Sequence, residues 1–409
     1  MHRDYSYAVI IGRFQPLHNS HVKLIEQALE IADKVLILVG SSYAARTPKN
    51  PFTFDERKNM IQKTFPETEA CSRDDMAHVR ETHGATGNLG QARRSTQYCG
   101  RISVEPIRDY FYSDDVWLAN VQGICSNYIE DGETVALLGT YKDASSYYLN
   151  LFPQWEYVSP EAGVTMHASD VRDKLFDAFD LCPCGSSELG EHPRTRLSTT
   201  WDDASIAGKP VLSSEVKEMQ DKWFTTNLPI HVIKFLQDFR GTPEFALIAD
   251  EFKANREYKQ SWDESPFPPV FVTADAVVTC AGHVLVIKRG GNPGKGLLAL
   301  PGGFVRPNER VKFAALRELK EETRIKVDKL ILESSIVDKE VFDYPDRSLR
   351  GRTITHAFHV KLKSGNKLPE VKGGDDAKGA FWMPMMEVMR RADEFFEDHI
   401  HIINRFINK

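Results

Sequence analysis

The chain has 409 residues, 41% of them hydrophobic and 27% charged, with a formal net charge of −6 and a pI near 6.1. That length exceeds what one core ordinarily organises, so two domains are expected. The acidic balance excludes a general nucleic-acid binder, which needs a basic footprint, and no run approaches the ~18 apolar residues of a membrane span.

The start, "MHRDYSYAVIIGRF", has an early Asp and no small-residue cleavage site, so it does not read as a signal peptide and a cytoplasmic protein is expected. "YAVII" and "VLILV" read as buried strands with an amphipathic helix, "HVKLIEQALEIAD", between them. A helix "DERKNMIQKTF" follows with Asp55 near its start. Then come a strand "RISVEPI", a helix "SDDVWLANVQGICSNYI" with Ser113 as N-cap, a strand "TVALLG" and a helix opening at "SDVRDKLF". This alternation predicts a Rossmann-like α/β domain with a parallel sheet over residues 1–262. Two polar, aperiodic stretches, 68–100 and 181–214, read as insertions. Their cysteines Cys71, Cys99, Cys182 and Cys184 would offer zinc four thiolates if the segments met, but idle thiols are the commoner outcome; six cysteines in all fit a reducing compartment. Two helical stretches close the first domain, and the proline-rich "ESPFPPVF" marks a junction. From 263 to 409 the texture is α+β: two strands joined at Ala281-Gly282, a charged helix over 308–323, further strands and a C-terminal helix.

The first chemical signal is "GRFQPLHNSH", residues 12–21. Gly12 lets the chain turn at the carboxyl end of a strand, where open α/β sheets bind ligands. The helix that follows offers free N–H groups to phosphate. His18 and His21 lie one turn apart and can address one point, and Arg13 adds a fixed charge. The stretch resembles the G-x-F-x-P-x-H-x-x-H signature of the nucleotidylyltransferases, and most closely that of the nicotinamide mononucleotide (NMN) adenylyltransferases. "SSYAARTPKNPFTFDER", "RDYFYSDDVWLANVQ" and "GTYKDASSYYLNLFPQW" resemble that family's successive loops, and "HASDVR" its second phosphate signature. The resemblance implies attack by a mononucleotide phosphate on the α-phosphorus of ATP, giving NAD and pyrophosphate. It also implies roles for Gly12 and Phe14 at the substrate, for Ser169 and Arg172 at the triphosphate, for Arg46, Lys142 and Asp143 near phosphates, and for Trp117 against the nicotinamide ring. There are departures: Ser20, His167 and Ala168 replace small or hydroxyl residues of the signatures. Asp115 stands where the family often has Asn, and an added carboxylate there predicts preference for nicotinamide over nicotinate mononucleotide.

The second signal is "GGFVRPNERVKFAALRELKEETRI", residues 302–325. Glu318 and Glu322, at i and i+4, project from one helix face, where they repel unless a divalent cation joins them; oxygen ligands suit magnesium. Arg317 can pair with a carboxylate and fix its rotamer. The spacing of Gly303, Glu309, Arg317, Glu318, Glu321 and Glu322 resembles the Nudix box over its whole length. Arg324 replaces the glycine that follows the paired glutamates. The wider segment 269–383 resembles the ADP-ribose pyrophosphatase domains fused to these adenylyltransferases. That implies magnesium in both halves (manganese also in the second), metal ligation by Gly303, Glu318, Glu321 and Glu322, and hydrolysis of ADP-ribose to AMP and ribose 5-phosphate. Arg350 and Arg352 are candidate phosphate contacts, with ordinary strand charge the equal alternative. The catalytic base stays open among Glu321, Asp375, Asp376 and Glu340. A second domain that senses ADP-ribose without turnover, or that acts on another nucleoside diphosphate derivative, is the rival reading. Self-association is left open.

Overall fold

The computed structural model describes residues 3–66, 100–141, 144–160, 166–180, 222–363, 365, 367–374 and 376–407. Lys142, Asp143, Asp375 and the four cysteines of the proposed zinc group lie outside the described residues.

In chain order the first half comprises β1 (Tyr5–Gly12), α1 (Asn19–Ile31), β2 (Ala32–Val39), α2 (Phe54–Thr64), β3 (Ile102–Pro106), α3 (Asp114–Cys125), β4 (Val135–Leu138), β5 (Glu156–Val158), α4 (Ala168–Asp180), α5 (Ile230–Phe239) and α6 (Pro243–Gln260). The strands form one sheet in the order β3-β2-β1-β4-β5, every pairing parallel. Strand periodicity divides the central strands between two cores. Ala8, Ile10, Val35, Ile37 and Val39 face a core shared with α1, α2, α5 and α6, while Tyr7, Val9, Leu36 and Leu38 face Val121 and Cys125 of α3. Each fully buried valine or leucine contributes roughly 1.5–3 kcal/mol relative to exposure. The sheet order reverses beside β1, so the carboxyl ends of β1 and β4 flank the crevice where such sheets receive ligands.

The helix starts are defined locally. Thr53 caps α2 in a reciprocal box with Glu56, and Asp55 lies in the first turn as expected. Ser113 occupies the N-cap of α3 as expected, but its side chain makes no capping hydrogen bond. His18 is the N-cap of α1, also without a side-chain cap.

The second half comprises β6 (Val270–Cys280), β7 (His283–Arg289), β8 (Leu298–Ala299), β9 (Gly302–Phe304), α7 (Val311–Thr323), α8 (Lys329–Ser334), β10 (Ile336–Phe342), β11 (Arg352–Lys361), β12 (Ala377–Pro384), α9 (Met385–Arg390) and α10 (His399–Ile407). Its sheet is mixed: the order is β10-β11-β6-β7-β12, with β11 and β6 parallel, β8 on β7 and β9 on β6. The expected hairpin is present; Ala281 and Gly282 both take positive φ, 46° and 75°, the backbone of a two-residue turn whose twist matches its strands. α7 begins at Val311, three residues after the predicted start, and buries Ala314, Ala315, Leu316 and Leu319.

The two halves are docked through polar and aromatic contacts. Tyr112 donates to Asp398 at 2.5 Å, and Arg347 grips the same carboxylate with two bonds of 2.7 and 2.9 Å. Burial alone would push Asp398 up; the Arg347 guanidinium holds it below the ordinary carboxylate range instead. The Phe111 ring stacks on Tyr344 at 4.7 Å and tilts against His401 at 4.5 Å. On the far side, Glu251 of α6 accepts from the Gly294 amide at 2.9 Å.

Candidate active sites

At the carboxyl end of β1 lies a cavity of about 660 Å³, lined among others by Arg13, His18, His21, Trp117, Ser169 and Arg172. The two imidazoles lie face to face, ring centroids 3.7 Å apart, with His18 only 2% exposed. Phe14 supports them from behind, its ring 4.7 Å from that of His21. Phe14 itself takes a left-handed φ of 51°, whereas Gly12 does not. The sharp conformation expected at Gly12 therefore falls two residues later. A Cβ on Gly12 would lie 3.1 Å from the Phe14 ring, so a larger residue there would press on that ring.

Several buried polar groups hold this loop. The Arg57 side chain is fully buried and donates to the carbonyls of Arg13 and Gly40, each at 2.7 Å, tying the ends of β1 and β2 together. Gln15 exchanges two hydrogen bonds with the Phe52 backbone. Arg172, from the first turns of α4, donates to the Gln15 carbonyl at 2.8 Å. Burial, reinforced by the nearby Arg13 charge, pushes Arg172 down to about 10, so it remains cationic at neutral pH. Sequence reading did not single out Arg57 or Gln15; nothing in their local pattern separates them from surface residues.

Two expectations are corrected. Arg46 does not line the cavity: it is bound to both oxygens of Glu56, at 2.8 and 2.9 Å, and to the Pro51 carbonyl, so it braces the loop before α2. Both aspartates are exposed, but Asp115 is off the cavity, whereas Asp114 lines its rim and accepts from Tyr147 at 2.8 Å. One residue of offset on a helix turns a side chain by about 100°, enough to exchange their positions.

The second site is built on α7. Arg317 is its hub: it donates to Glu309 at 2.8 and 2.9 Å, to Glu318 at 2.6 Å and to Glu321 at 2.9 Å. Its hydrogen bond to Glu309 leads the contributions that raise it further above its ordinary value, and the same bond holds Glu309 low. Glu322 is 6% exposed and accepts from the Gly302 amide at 2.9 Å. Burial, aided by Glu318, pushes Glu322 up to about 8, and burial likewise raises Glu318. A cation would relieve both. A Cβ on Gly303 would fall 2.6 Å from Glu318, and one on Gly302 2.0 Å from Asp275, so both glycines keep this acidic cradle open. The chemistry of the donor set, carboxylate oxygens on one helix face, fits a divalent metal, although Glu318, Glu321 and Glu322 are not drawn together to ligand distance and Arg317 holds two of them. The helix ends with Arg324 in the left-handed region, φ 45° and ψ 32°, where the resembled motif has glycine.

The remaining candidates divide. Arg350 lies over the Phe304 ring at 5.1 Å, next to Gly303, and 3.8 Å from Glu397. Arg352 is engaged instead with Asp343, donating to its carbonyl, which favours the ordinary strand-charge reading. Glu340 is paired with Arg405 of α10 at 2.9 Å, while Asp376, the other described candidate base besides Glu321, is exposed. Glu397, Asp398 and His399 lie close enough to share a cation, but Asp398 is committed to Arg347 and Tyr112, and the His399 Nδ1 to the Leu300 amide.

Residues 9–138 match the cytidylyltransferase-like family model and residues 270–406 the NUDIX domain model. A nicotinamide/nicotinic acid mononucleotide adenylyltransferase of Acinetobacter baylyi is 33% identical over 174 residues, 42% of this chain and 77% of that protein. An ADP-ribose pyrophosphatase of Methanocaldococcus jannaschii is 37% identical over 138 residues, 33% of this chain and 72% of that one. A crystal structure of a bifunctional NMN adenylyltransferase/ADP-ribose pyrophosphatase from Francisella tularensis aligns over 99% of both chains, with 30% identity and a TM-score of 0.75. This chain belongs to that bifunctional family. A further Francisella tularensis structure, 29% identical over 99% of each chain with a TM-score of 0.75, is complexed with AMP and a manganese ion. Among the described residues of this family member, no helix is long and apolar enough to cross a membrane.

Proposed function

We propose that the bifunctional enzyme divides near residue 262, with the first domain joining ATP and NMN into NAD and pyrophosphate and the second hydrolysing ADP-ribose to AMP and ribose 5-phosphate. The observation that carries the reading is the pairing of a cation- and imidazole-lined cavity with a carboxylate cradle in one chain. Phosphoryl chemistry of the first kind needs positioning and charge stabilisation rather than a nucleophilic side chain. His18, His21 and Arg13 stabilise charge on the reacting phosphates, Arg172 and Ser169 hold the triphosphate, and Trp117 packs on the pyridine ring. Asp114, facing the cavity in place of Asp115, disfavours a substrate carboxylate, so nicotinamide mononucleotide is preferred over the nicotinate form.

In the second domain Glu318 and Glu322, with Glu321 and the Gly303 backbone, would hold magnesium or manganese. Bound there, the cation polarises the diphosphate and lowers the pKa of attacking water. Arg317 sets the carboxylate rotamers, and Arg350 is placed to meet a substrate phosphate. Glu340 is engaged by Arg405 and Glu321 by Arg317, so the base is taken from Glu321 or the exposed Asp376. Retention of every carboxylate of the box favours turnover over mere sensing.

The test is a pair of assays on the purified full chain: NAD formation from ATP with NMN or its nicotinate analogue, and magnesium-dependent release of AMP from ADP-ribose. Absence of dinucleotide sinks the first assignment, tight ADP-ribose binding without AMP release sinks the second, and equal efficiency on the two mononucleotides sinks the preference.

A further inference from the structure

The adenylyltransferase cavity is not lined by the first half alone. Tyr344, Asp346, Arg347 and His401 of the second half also border it. Tyr344 to Arg347 form a four-residue turn closed by the Arg347 amide to the Tyr344 carbonyl at 3.1 Å, with Pro345 in the position that suits proline. Both ends are fixed. Tyr344 stacks flat on Phe111, and Arg347 is buried in its two bonds to Asp398. The turn brings Asp346 at its tip, a side chain 69% exposed, to 3.3 Å from the Lys49 ammonium.

The Lys49 backbone is also held by a closed turn, in which Thr47 and Asn50 exchange backbone hydrogen bonds of 3.3 and 3.0 Å. The Lys49 side chain is 24% exposed and lines the cavity in electrostatic contact with Arg13 and Arg172. A lysine between two arginines and mostly out of water is costly unless an anion is near. The anion beside it is Asp346, mounted on the other half of the chain.

The geometry points to Lys49 as a triphosphate-contacting residue of the adenylyltransferase site, kept charged and aimed by Asp346 as a positioning residue supplied by the pyrophosphatase domain. This rests on the adenylyltransferase reading above, and on Arg13 and Arg172 serving its phosphates. Burial and the two guanidiniums push Lys49 down from its ordinary value while Asp346 pulls it back up. Removing the Asp346 charge should therefore let Lys49 lose its proton at a lower pH.

The experiment uses full-length protein and follows both reactions. In Lys49→Met the KM for ATP should rise about tenfold or more, the effect of losing one charge-assisted phosphate contact, with a smaller change for NMN. In Asp346→Asn the same KM should rise about three- to fivefold, the alkaline limb of kcat/KM should move to lower pH, and Asp346→Glu should restore both. ADP-ribose hydrolysis in the same preparations reports that the chain is folded. An unchanged KM for ATP in Lys49→Met, or an Asp346→Asn profile superimposable on wild type, overturns the inference while leaving NAD synthesis standing. Failure of the wild-type chain to make NAD is the separate result that removes its foundation.

Discussion

The adenylyltransferase cavity gathers Arg13, Lys49 and Arg172, whereas the pyrophosphatase cradle gathers Glu309, Glu318, Glu321 and Glu322. In each, like charges sit closer together and deeper than water alone would allow, and the electrostatics lean in opposite directions: Arg172 is pushed down and Glu322 up. The first site anticipates an anion, the second a cation. They also differ in how the charges are held. The cationic cavity is assembled from loops and helix ends drawn from both halves, braced by Arg57 and by the Tyr344 turn. The acidic cradle is organised by one helix and the strand beside it, with a single hub in Arg317. A site on one helix is specified by a short motif; a site on dispersed loops depends on the surrounding tertiary structure.

The sharpest way to break this comparison is to inactivate each site separately. His18→Ala should lower NAD formation by about 10² to 10⁴ while ADP-ribose hydrolysis persists, and Glu322→Gln should lower hydrolysis about a thousandfold while transfer persists. Steady-state rates of both reactions on each variant decide it, and joint loss would mean the sites are not independent.

A second prediction concerns the docked core between them. His399 is buried and kept down to about 4 by that burial, against the favourable pull of Asp275 and Asp398. Its Nδ1 accepts from the Leu300 amide at 2.9 Å, so the folded state wants it neutral. As pH falls from 6.5 toward 4 the unfolded chain takes up a proton that the folded chain refuses, and stability should drop by roughly 3 kcal/mol through that window. Urea midpoints against pH should show this slope in the wild type and a flatter one in His399→Asn; parallel slopes would refute it.

Smaller effects probe how each cradle is held. Arg317→Ala frees three carboxylates at once and should reduce hydrolysis by about 10- to 100-fold, chiefly by weakening metal affinity, which a titration of activity against magnesium would read. If excess magnesium fails to recover any activity, Arg317 does more than orient ligands. Least of all, Arg324→Gly should raise the melting temperature slightly, because a non-glycine residue at φ 45° costs of order 1 kcal/mol. A lower melting temperature would mean that the Arg324 side chain, which packs beside Gly374, contributes more than its backbone costs.

The parallel sheet, the Ala281-Gly282 hairpin and α7 were readable because each is set by local pattern: buried apolar runs, turn residues and a helical period. The Nudix glutamates were readable for the same reason, since i and i+4 on one helix must share a face. The dispersed contacts were less so. Arg46 forks onto Glu56 ten residues on rather than lining the cavity, and Asp114 rather than Asp115 faces the cavity because helix phase is decided by packing. Glu340 meets Arg405 of α10 across 65 residues of chain, a pairing that no local pattern announces.

By itself the sequence determined the two chemistries, through short motifs whose residues lie within one strand-turn-helix or one helix. What the tertiary structure alone decided is which distant charges meet: Lys49 with Asp346, Tyr112 and Arg347 with Asp398, Arg57 with two strand ends. Those pairings span tens to hundreds of residues, and a charge has no preferred partner along the chain until burial removes the water that would otherwise satisfy it.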